Sequence, residues 1–187
     1  MIASILPVAL IVDQPDWLTP LERDRRDRLR CDDARAAYVA AHVLARIVAG
    51  RLLGEDPAWL VLRQRCEDCG GIDHGQPWIL GHDIHISLSH THGLVAAAAA
   101  TDRCGIDVEV VGRPIPARAL TSDERDWVAG RREPMRAATL LWTRKEALAK
   151  AGGLPLATAL ATDVRGERQG EWQGAGHIAS WRTCPAP

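Results

Sequence analysis

Two carboxylates lie on one face of a short alternating segment, Gly105-Ile106-Asp107-Val108-Glu109-Val110. If the segment is a strand, Ile106, Val108 and Val110 point into the core, and Asp107 and Glu109 project from the opposite side, about 6.6 Å apart along the backbone. Such a pair is tolerated when it is fully solvated and is useful when a cation lies between the two groups. Oxygen ligands of this kind suit Mg²⁺, which also binds phosphate oxygens. A half-exposed strand with an ordinary polar face fits the same pattern, so a second segment is needed to decide.

That second segment is Trp142-Thr143-Arg144-Lys145-Glu146-Ala147-Leu148-Ala149-Lys150. Trp142, Glu146 and Lys150 are four residues apart and form one stripe on a helix. Glu146 could offer a third carboxylate to a metal, and Lys150 could offer an ammonium to a phosphate one turn along. The alternative is an ordinary surface ion pair, which would contribute about 0.3–0.5 kcal/mol to helix stability and have no functional meaning.

The distribution of lysine favours a functional site over a surface pair. Of the 23 basic residues, only Lys145 and Lys150 are lysine, and both lie in this one segment. Lysine is a compact, flexible point charge and arginine is a flat fork, so a site that needs lysine does not freely accept arginine. Together with the acidic strand, this bias predicts a site for a metal and a phosphate.

The two segments, in this order and about 30 to 40 residues apart, resemble the twin signatures of the surfactin-type 4′-phosphopantetheinyl transferases. Two more segments resemble elements of that family: Ser87-Leu88-Ser89-His90 and His74-Gly75-Gln76-Pro77. The resemblance covers about residues 30–155. It implies an α+β fold of two similar lobes (a pseudo-dimer) with the active site in the cleft between them. Because the family usually continues with further strand after a segment like residues 177–183, the second lobe is expected to be shortened or to pair its last strands differently.

The resemblance also implies an activity. A phosphopantetheinyl transferase moves the 4′-phosphopantetheine arm of coenzyme A to a serine of an apo acyl or peptidyl carrier protein and releases 3′,5′-ADP. It implies that Asp107, Glu109 and Glu146 hold Mg²⁺, with Mn²⁺ as an alternative ion, together with the pyrophosphate of coenzyme A. Lys150 would neutralise the phosphate next to the breaking bond, and Glu146 would be either a ligand only or the base that takes the serine proton.

Four further residues are implied at coenzyme A by the same resemblance: Arg46, Gln76, Ser89 and His90. Ser89 and His90 would contact the nucleotide end, and Arg46 would reach the 3′-phosphate. Gln76 stands where many family members carry lysine, so one phosphate contact is expected to be missing or supplied by an arginine. Glu124 matches an acidic position of the family on a helix of the second lobe.

The rest of the chain predicts the elements that position these residues. Helices are expected over residues 23–30, 33–53, 121–128 and 135–151, the last one capped by Gly152 and Gly153, and strands over residues 2–12, 85–89, 94–100, 105–111, 162–165 and 177–183. The short turns between the three middle strands favour an antiparallel meander. Helices followed by strands in each half favour two α+β lobes, which we place at residues 1–103 and 104–187.

Composition limits the classes of partner. The net charge of the 187-residue chain is −1, so neither a nucleic acid nor a membrane surface is an expected partner.

The apolar run at residues 2–12 is not expected to be a signal peptide, because no positive residue precedes it. It is also too short to span a bilayer. Five cysteines without a secretory context indicate a cytoplasmic protein with reduced thiols. A chain with two lobes supplies both sides of the cleft, so a monomer is expected.

Other interpretations remain open at this point. Cys66-x-x-Cys69 with His74 nearby could bind zinc, with His82 or His85 as the fourth ligand, or could be a loop of thiols without metal. The chain could also be a non-catalytic module that binds coenzyme A or a carrier protein. A third possibility is an unrelated Mg²⁺-dependent phosphoester hydrolase that uses the same three carboxylates.

Overall fold

The structure, a computed structural model, describes residues 1–11, 14–66, 69–72, 74–152, 154–167, 169–174 and 176–184. These residues form a mixed α+β fold, as predicted. The helices are α1 (Pro20–Asp27), α2 (Asp32–Leu53), α3 (Ser122–Ala129), α4 (Pro134–Gly152) and α5 (Leu156–Ala161). The strands are β1 (Ile2–Pro7), β2 (Leu62–Arg65), β3 (Gln76–Ile79), β4 (His85–Thr91), β5 (Leu94–Ala100), β6 (Arg103–Val110), β7 (Gly170–Gly174) and β8 (His177–Cys184).

The strands of the described residues form two antiparallel sheets. The first has five strands in the order β1-β5-β4-β3-β2, and the second has three in the order β6-β8-β7. Strand β8 pairs with β6 along its whole length, from Cys184 opposite Arg103 to His177 opposite Val110. The strand predicted near the end of the sequence is therefore the central strand of the second sheet, held on both sides.

Two helices and two sheets stack in four layers, with β5 and β6 in the middle. Strand β5 is buried on both faces, as its uniformly small residues predict. Its side chains divide by alternation, with Val95, Ala97 and Ala99 packed toward α2 and Leu94, Ala96, Ala98 and Ala100 packed toward β6. Helix α4 covers the other face of β6. At Gly105 a Cβ atom would lie 2.0 Å from the carbonyl oxygen of Ala147, so the absent side chain lets β6 approach α4 closely.

The same local device occurs in both halves of the chain. Glu22 accepts the backbone N–H of the threonine that caps α1, and its carboxylate pairs with Arg46 on α2 at 2.7 Å. Glu124 accepts the N–H of the threonine that caps α3, and its carboxylate pairs with Lys145 on α4 at 2.7 Å. In each half a short helix is thereby fixed to the long helix that covers the sheet.

Several predictions about the elements are corrected by the structure. Strand β6 leaves the predicted meander and belongs to the second sheet, because it pairs with β8 rather than with β5. Residues 162–165 form no strand, and strands β2, β3 and β7 were not predicted. Helices α2 and α4 match their predicted bounds within one residue. Gly153 lies outside the described residues.

Helix α2 is long and apolar enough to cross a membrane when length and hydropathy are the only criteria. In the structure, however, 67% of the most apolar 18-residue stretch of this helix is buried inside the protein. Two-thirds burial against the first sheet is the environment of the core helix of a globular domain.

Candidate functional site

The site lies where the middle of β6 meets the last turn of α4. Oδ1 of Asp107 accepts a hydrogen bond from Nζ of Lys150 at 2.8 Å and another from the hydroxyl of Ser89 at 2.7 Å. Lys150 also donates to the carbonyl oxygen of Ile106 at 3.1 Å. Three elements, β4, β6 and α4, thus meet at one carboxylate oxygen.

Glu109, two residues along β6, is held by its own set of donors. Oε1 accepts from the hydroxyl of Thr91 at 2.8 Å and from the N–H of Val110 at 2.9 Å. Oε2 accepts from the guanidinium of Arg113 at 2.9 Å. Glu109 is 7% exposed and Asp107 is 6% exposed. The predicted polar face of β6 is therefore not solvated, because α4 and the end of β4 cover it.

Glu146 lies on α4 one turn before Lys150 and is half-buried. Burial raises the pKa of its carboxyl, and the charges of Asp107 and Glu109 raise it further, against a lowering by Lys150. The structure thus brings the three predicted carboxylates close enough for each to affect protonation at Glu146. A carboxyl that is reluctant to ionise beside two others is the electrostatic situation that a bound cation relieves.

Two neighbouring clefts border these carboxylates. The smaller, of about 310 Å³, is lined by Glu146, Lys150 and Gln76, with Leu154 and Leu156 at its apolar part. The larger, of about 850 Å³, is lined by Glu109, His90 and Arg113 together with the first turns of α2. Glu146 and Lys150 thus line the smaller space and Glu109 lines the larger, so residues of the site border both.

His90 lines the larger cleft next to the site, and its side chain reaches solvent. Desolvation by the surrounding protein lowers the pKa of its imidazole, and the charge of Lys150 lowers it further, although Asp107 acts in the opposite direction. The imidazole is therefore neutral at neutral pH and can either donate or accept a hydrogen bond.

The structure contradicts the expectation that Arg46 reaches a phosphate of coenzyme A. Its side chain is 0% exposed, and its guanidinium donates to both carboxylate oxygens of Glu22 and to the carbonyl oxygens of His42 and Leu60. A guanidinium enclosed in this way stabilises the first half of the protein and cannot contact a ligand. The pattern of residues on α2 could not reveal this, because its partner Glu22 lies on another helix.

Lys145 and Lys150 have different environments although both lie in one helical segment. Lys145 is 0% exposed, pairs with Glu124 and donates to the carbonyl oxygens of Leu160 and Thr162 at 2.6 and 2.9 Å. Glu124 is also 0% exposed. The two residues therefore belong to the core of the second half, and Lys150 is the lysine that faces the cleft.

Ser89 has a different position from the one expected of a residue that contacts a nucleotide. It is 8% exposed, its hydroxyl donates to Asp107, and its oxygen accepts the N–H of Val108 at 3.4 Å. Ser87 accepts the N–H of Ile106 in the same way at 3.0 Å. The two serines join the edge of β6 to β4, so Ser89 positions a carboxylate of the site.

The donor set fits a divalent cation. Among the hydrogen bonds of the described residues, those to Asp107 end on Oδ1 and none ends on Oδ2. No hydrogen bond within the described part of the chain reaches either carboxylate oxygen of Glu146. A carboxylate oxygen without a hydrogen bond is either buried and unpaired or accessible to solvent. Among the described residues, neither Asp107 nor Glu146 has a buried unpaired oxygen, so these oxygens are accessible. Accessible carboxylate oxygens are the ligands that Mg²⁺ prefers.

Two residues of the site were not predicted from the sequence. Arg113 pairs with Glu109 and also lines the larger cleft, with a side chain that is 65% exposed. Thr91 holds the other oxygen of Glu109. The only sequence signal was the spacing of four between Glu109 and Arg113, which predicts an ion pair on a helix but carries no meaning where a strand ends.

The comparison with known families concerns the second sheet and its helices. Residues 103–182 match the family model of the 4′-phosphopantetheinyl transferase superfamily. The matched segment contains Asp107, Glu109, Glu146 and Lys150, the four residues that converge between β6 and α4. A search of curated proteins found no significant match. The segment that carries the site is therefore similar to this superfamily.

Proposed function

We propose that this protein is a surfactin-type enzyme that transfers the 4′-phosphopantetheine arm of coenzyme A to a serine of an apo acyl or peptidyl carrier protein and releases 3′,5′-ADP. The observation that carries the proposal is that Lys150, which is bound to Asp107, and Glu146 together line a cleft of about 310 Å³. We further propose that it acts as a cytoplasmic monomer.

Asp107, Glu109 and Glu146 are the proposed ligands of Mg²⁺. When bound, the ion would offset negative charge on the pyrophosphate oxygens of coenzyme A. Glu109 already pairs with Arg113, so its carboxylate is oriented before a ligand binds. The accessible oxygens of Asp107 and Glu146 supply the positions that remain.

Glu146 is the proposed acceptor of the proton of the carrier serine. Its pKa is raised by burial and by Asp107 and Glu109, and a raised pKa makes a carboxylate a stronger base at neutral pH. Its place in the wall of the smaller cleft puts it beside the space that an incoming serine would enter.

Lys150 is the proposed electrostatic stabiliser of the reacting phosphate. Its ammonium is fixed by Asp107 and by the carbonyl oxygen of Ile106, so it is oriented before the phosphate arrives. A fixed charge needs little reorganisation when negative charge develops on the leaving group. The compact charge of its ammonium is therefore the property of Lys150 that matters, which agrees with the presence of a lysine here in an otherwise arginine-rich chain.

The two clefts suggest how coenzyme A lies across the site. The apolar part of the smaller cleft, at Leu154 and Leu156, suits the pantetheine arm, and Gln76 also lines this cleft. The larger cleft, with His90 and the exposed side chain of Arg113, suits the nucleotide end. In this arrangement Arg113 binds a phosphate of coenzyme A, the role that the family resemblance implied for Arg46.

The test is the intact mass of apo carrier proteins of peptide, polyketide and fatty-acid type after incubation with the protein, coenzyme A and Mg²⁺. The expected result is a mass gain of one phosphopantetheine group that is lost with EDTA. Tight binding of coenzyme A without modification of any carrier would instead identify a binding module. Release of phosphate or nucleotide without a carrier would identify a phosphoester hydrolase.

A further inference from the structure

A second set of ligand-type side chains lies in the loop between β2 and β3, apart from the carboxylates. The sulfur atoms of Cys66 and Cys69 and a ring nitrogen of His74 all lie within 4.8 Å of one another. Among the described residues, this is the only group of three or more such side chains gathered this closely. None of its members is a proposed ligand of Mg²⁺.

The loop is built around these three atoms. The N–H of Gly71 donates to Sγ of Cys69 at 3.4 Å, and the N–H of Gly70 donates to the carbonyl oxygen of Cys66 at 2.9 Å. Gly70 has φ of +70°, a conformation that favours glycine. The chain turns at this glycine, and the turn directs a backbone donor at the sulfur, as is needed to stabilise a thiolate.

Gly71 and Gly75 are needed for the close packing of the loop. A Cβ at Gly71 would lie 2.6 Å from Cε1 of His74 and 3.2 Å from Sγ of Cys69. A Cβ at Gly75 would lie 2.2 Å from the carbonyl oxygen of Arg65. The absence of side chains at these positions lets the imidazole reach the sulfur.

The distances suit a tetrahedral metal. With metal–sulfur and metal–nitrogen bonds of about 2.3 and 2.0 Å at a tetrahedral angle, a sulfur and a nitrogen ligand lie about 3.5 Å apart. Sγ of Cys69 and Nε2 of His74 are 3.2 Å apart, so a widening of a few tenths of an ångström would admit the ion. Two thiolates and one imidazole form a set that Zn²⁺ prefers and that Mg²⁺ does not.

We propose that Cys66, Cys69 and His74 bind a Zn²⁺ ion that fixes the loop between β2 and β3. Binding releases the two thiol protons to solvent, and the fourth tetrahedral position is taken by water or another donor. His82 is not a ligand in this proposal, because its Nε2 lies 3.6 Å from a carboxylate oxygen of Glu55, and His85 begins strand β4.

The proposed ion has a structural role connected to the cleft. His74 immediately precedes Gly75 and Gln76, which line the smaller cleft together with Lys150. Fixing His74 to the two cysteines therefore fixes the start of β3 and the position of Gln76. The role is one of positioning, and the zinc takes no part in the transfer that we propose at the carboxylates.

The test is zinc content of the full-length protein, purified under reducing conditions without a histidine tag and measured by inductively coupled plasma mass spectrometry. We expect about one equivalent of zinc in the wild type and in Cys31→Ser, which changes an exposed cysteine outside the loop. Cys69→Ser and His74→Asn should each contain less than about a tenth of an equivalent. Asp107→Asn should keep its zinc, which separates this site from the carboxylates.

Cobalt provides a second measurement on the unaltered chain. Adding Co²⁺ to reduced, demetallated wild-type protein should produce the visible absorption bands and thiolate charge-transfer band of a tetrahedral site, and stoichiometric Zn²⁺ should remove them. The proposal is overturned if wild type and Cys69→Ser contain the same amount of zinc and bind cobalt alike. It is equally overturned if the protein as purified has no zinc and a mass lower by the two hydrogens of a disulfide.

Discussion

Nζ of Lys150 lies 2.8 Å from Oδ1 of Asp107 and joins the last turn of α4 to the middle of β6. The lysine side chain is 31% exposed and the aspartate side chain 9%, so the pair lies at the boundary between core and cleft. Five residues earlier on the same helix, Lys145 pairs with Glu124 with both side chains 0% exposed. One helix thus carries a lysine for the cleft and a lysine for the core.

This contrast predicts different defects for the two lysine variants. Lys145→Met leaves a buried carboxylate without its partner and should lower the free energy of unfolding by about 3–5 kcal/mol. Lys150→Met should lower it by only about 1–2 kcal/mol but slow the transfer to carrier protein about 100-fold or more. Urea unfolding and the rate of carrier modification, at a temperature where both variants are folded, check the two effects. A large loss of stability in Lys150→Met with unchanged transfer would contradict the assignment.

Arg46 is predicted to matter for stability and not for coenzyme A. Arg46→Met should lower the free energy of unfolding by about 3–5 kcal/mol, because it leaves Glu22 buried and unpaired. Its dissociation constant for coenzyme A should stay within about twofold of the wild-type value, a change worth less than 0.5 kcal/mol. The matched variant Arg113→Met alters an exposed side chain and should weaken coenzyme A binding. Titration calorimetry on folded protein measures the dissociation constants for coenzyme A. Much weaker binding by Arg46→Met than by Arg113→Met would contradict a role of Arg46 in stability alone.

The Glu22–Arg46 pair also predicts how stability depends on pH. Burial alone would raise the pKa of Glu22, but the hydrogen bonds and charge of Arg46 outweigh it and hold the pKa below its usual 4.5. A carboxyl with a lowered folded-state pKa stabilises the protein above its unfolded-state pKa, and this contribution disappears as the pH falls through the lower value. As the pH falls below 4.5, the usual pKa of a glutamate, the free energy of unfolding should therefore fall less steeply in Glu22→Gln than in wild type. Parallel curves for the two proteins in urea titrations would show that Glu22 contributes nothing to acid sensitivity.

Gly105 is predicted to set the distance between β6 and α4. In Gly105→Ala the added Cβ would lie 2.0 Å from the carbonyl oxygen of Ala147 and 2.6 Å from the nitrogen of Ala151, both backbone atoms. The strand and helix must separate, which should cost about 1–3 kcal/mol of stability and slow transfer by displacing Lys150 from Asp107. Gly166→Ala, where nothing lies within 4 Å of the added atom, is the control and should change stability by less than about 0.5 kcal/mol. Thermal unfolding and carrier modification measure the two effects, and equal behaviour of the variants would contradict the close packing.

The sequence was informative where a function depends on local spacing. Asp107 and Glu109 alternate within one strand, and Glu146 and Lys150 are one turn apart on one helix, so their shared faces follow from backbone geometry alone. The family resemblance joined the two segments, and the structure brings them together between β6 and α4.

The sequence was uninformative where a partner comes from a distant element. Arg46 on its helix looks like any inward-facing cation, and only the fold shows that Glu22 encloses it. Alternation in β6 predicted a strand but not its partner, since β8 follows about 70 residues later. Strand β2 was missed because Leu62-Arg63-Gln64-Arg65 has no apolar alternation. Its backbone forms a strand because it pairs with β3.

Whether transfer depends on the carboxylates between β6 and α4 is tested by comparing the transfer rate of wild type with those of Glu146→Gln and Glu133→Gln. The rate is measured from the intact mass of an apo carrier protein incubated with coenzyme A and Mg²⁺. Glu133 is an exposed carboxylate before α4 and outside the site, so the two variants make the same chemical change in different places. We predict that Glu133→Gln modifies the carrier at the wild-type rate and that Glu146→Gln, although folded, is slower by about 100-fold or more. Carrier modification at the wild-type rate by Glu146→Gln would contradict it, because the reaction would then not depend on the carboxylates between β6 and α4.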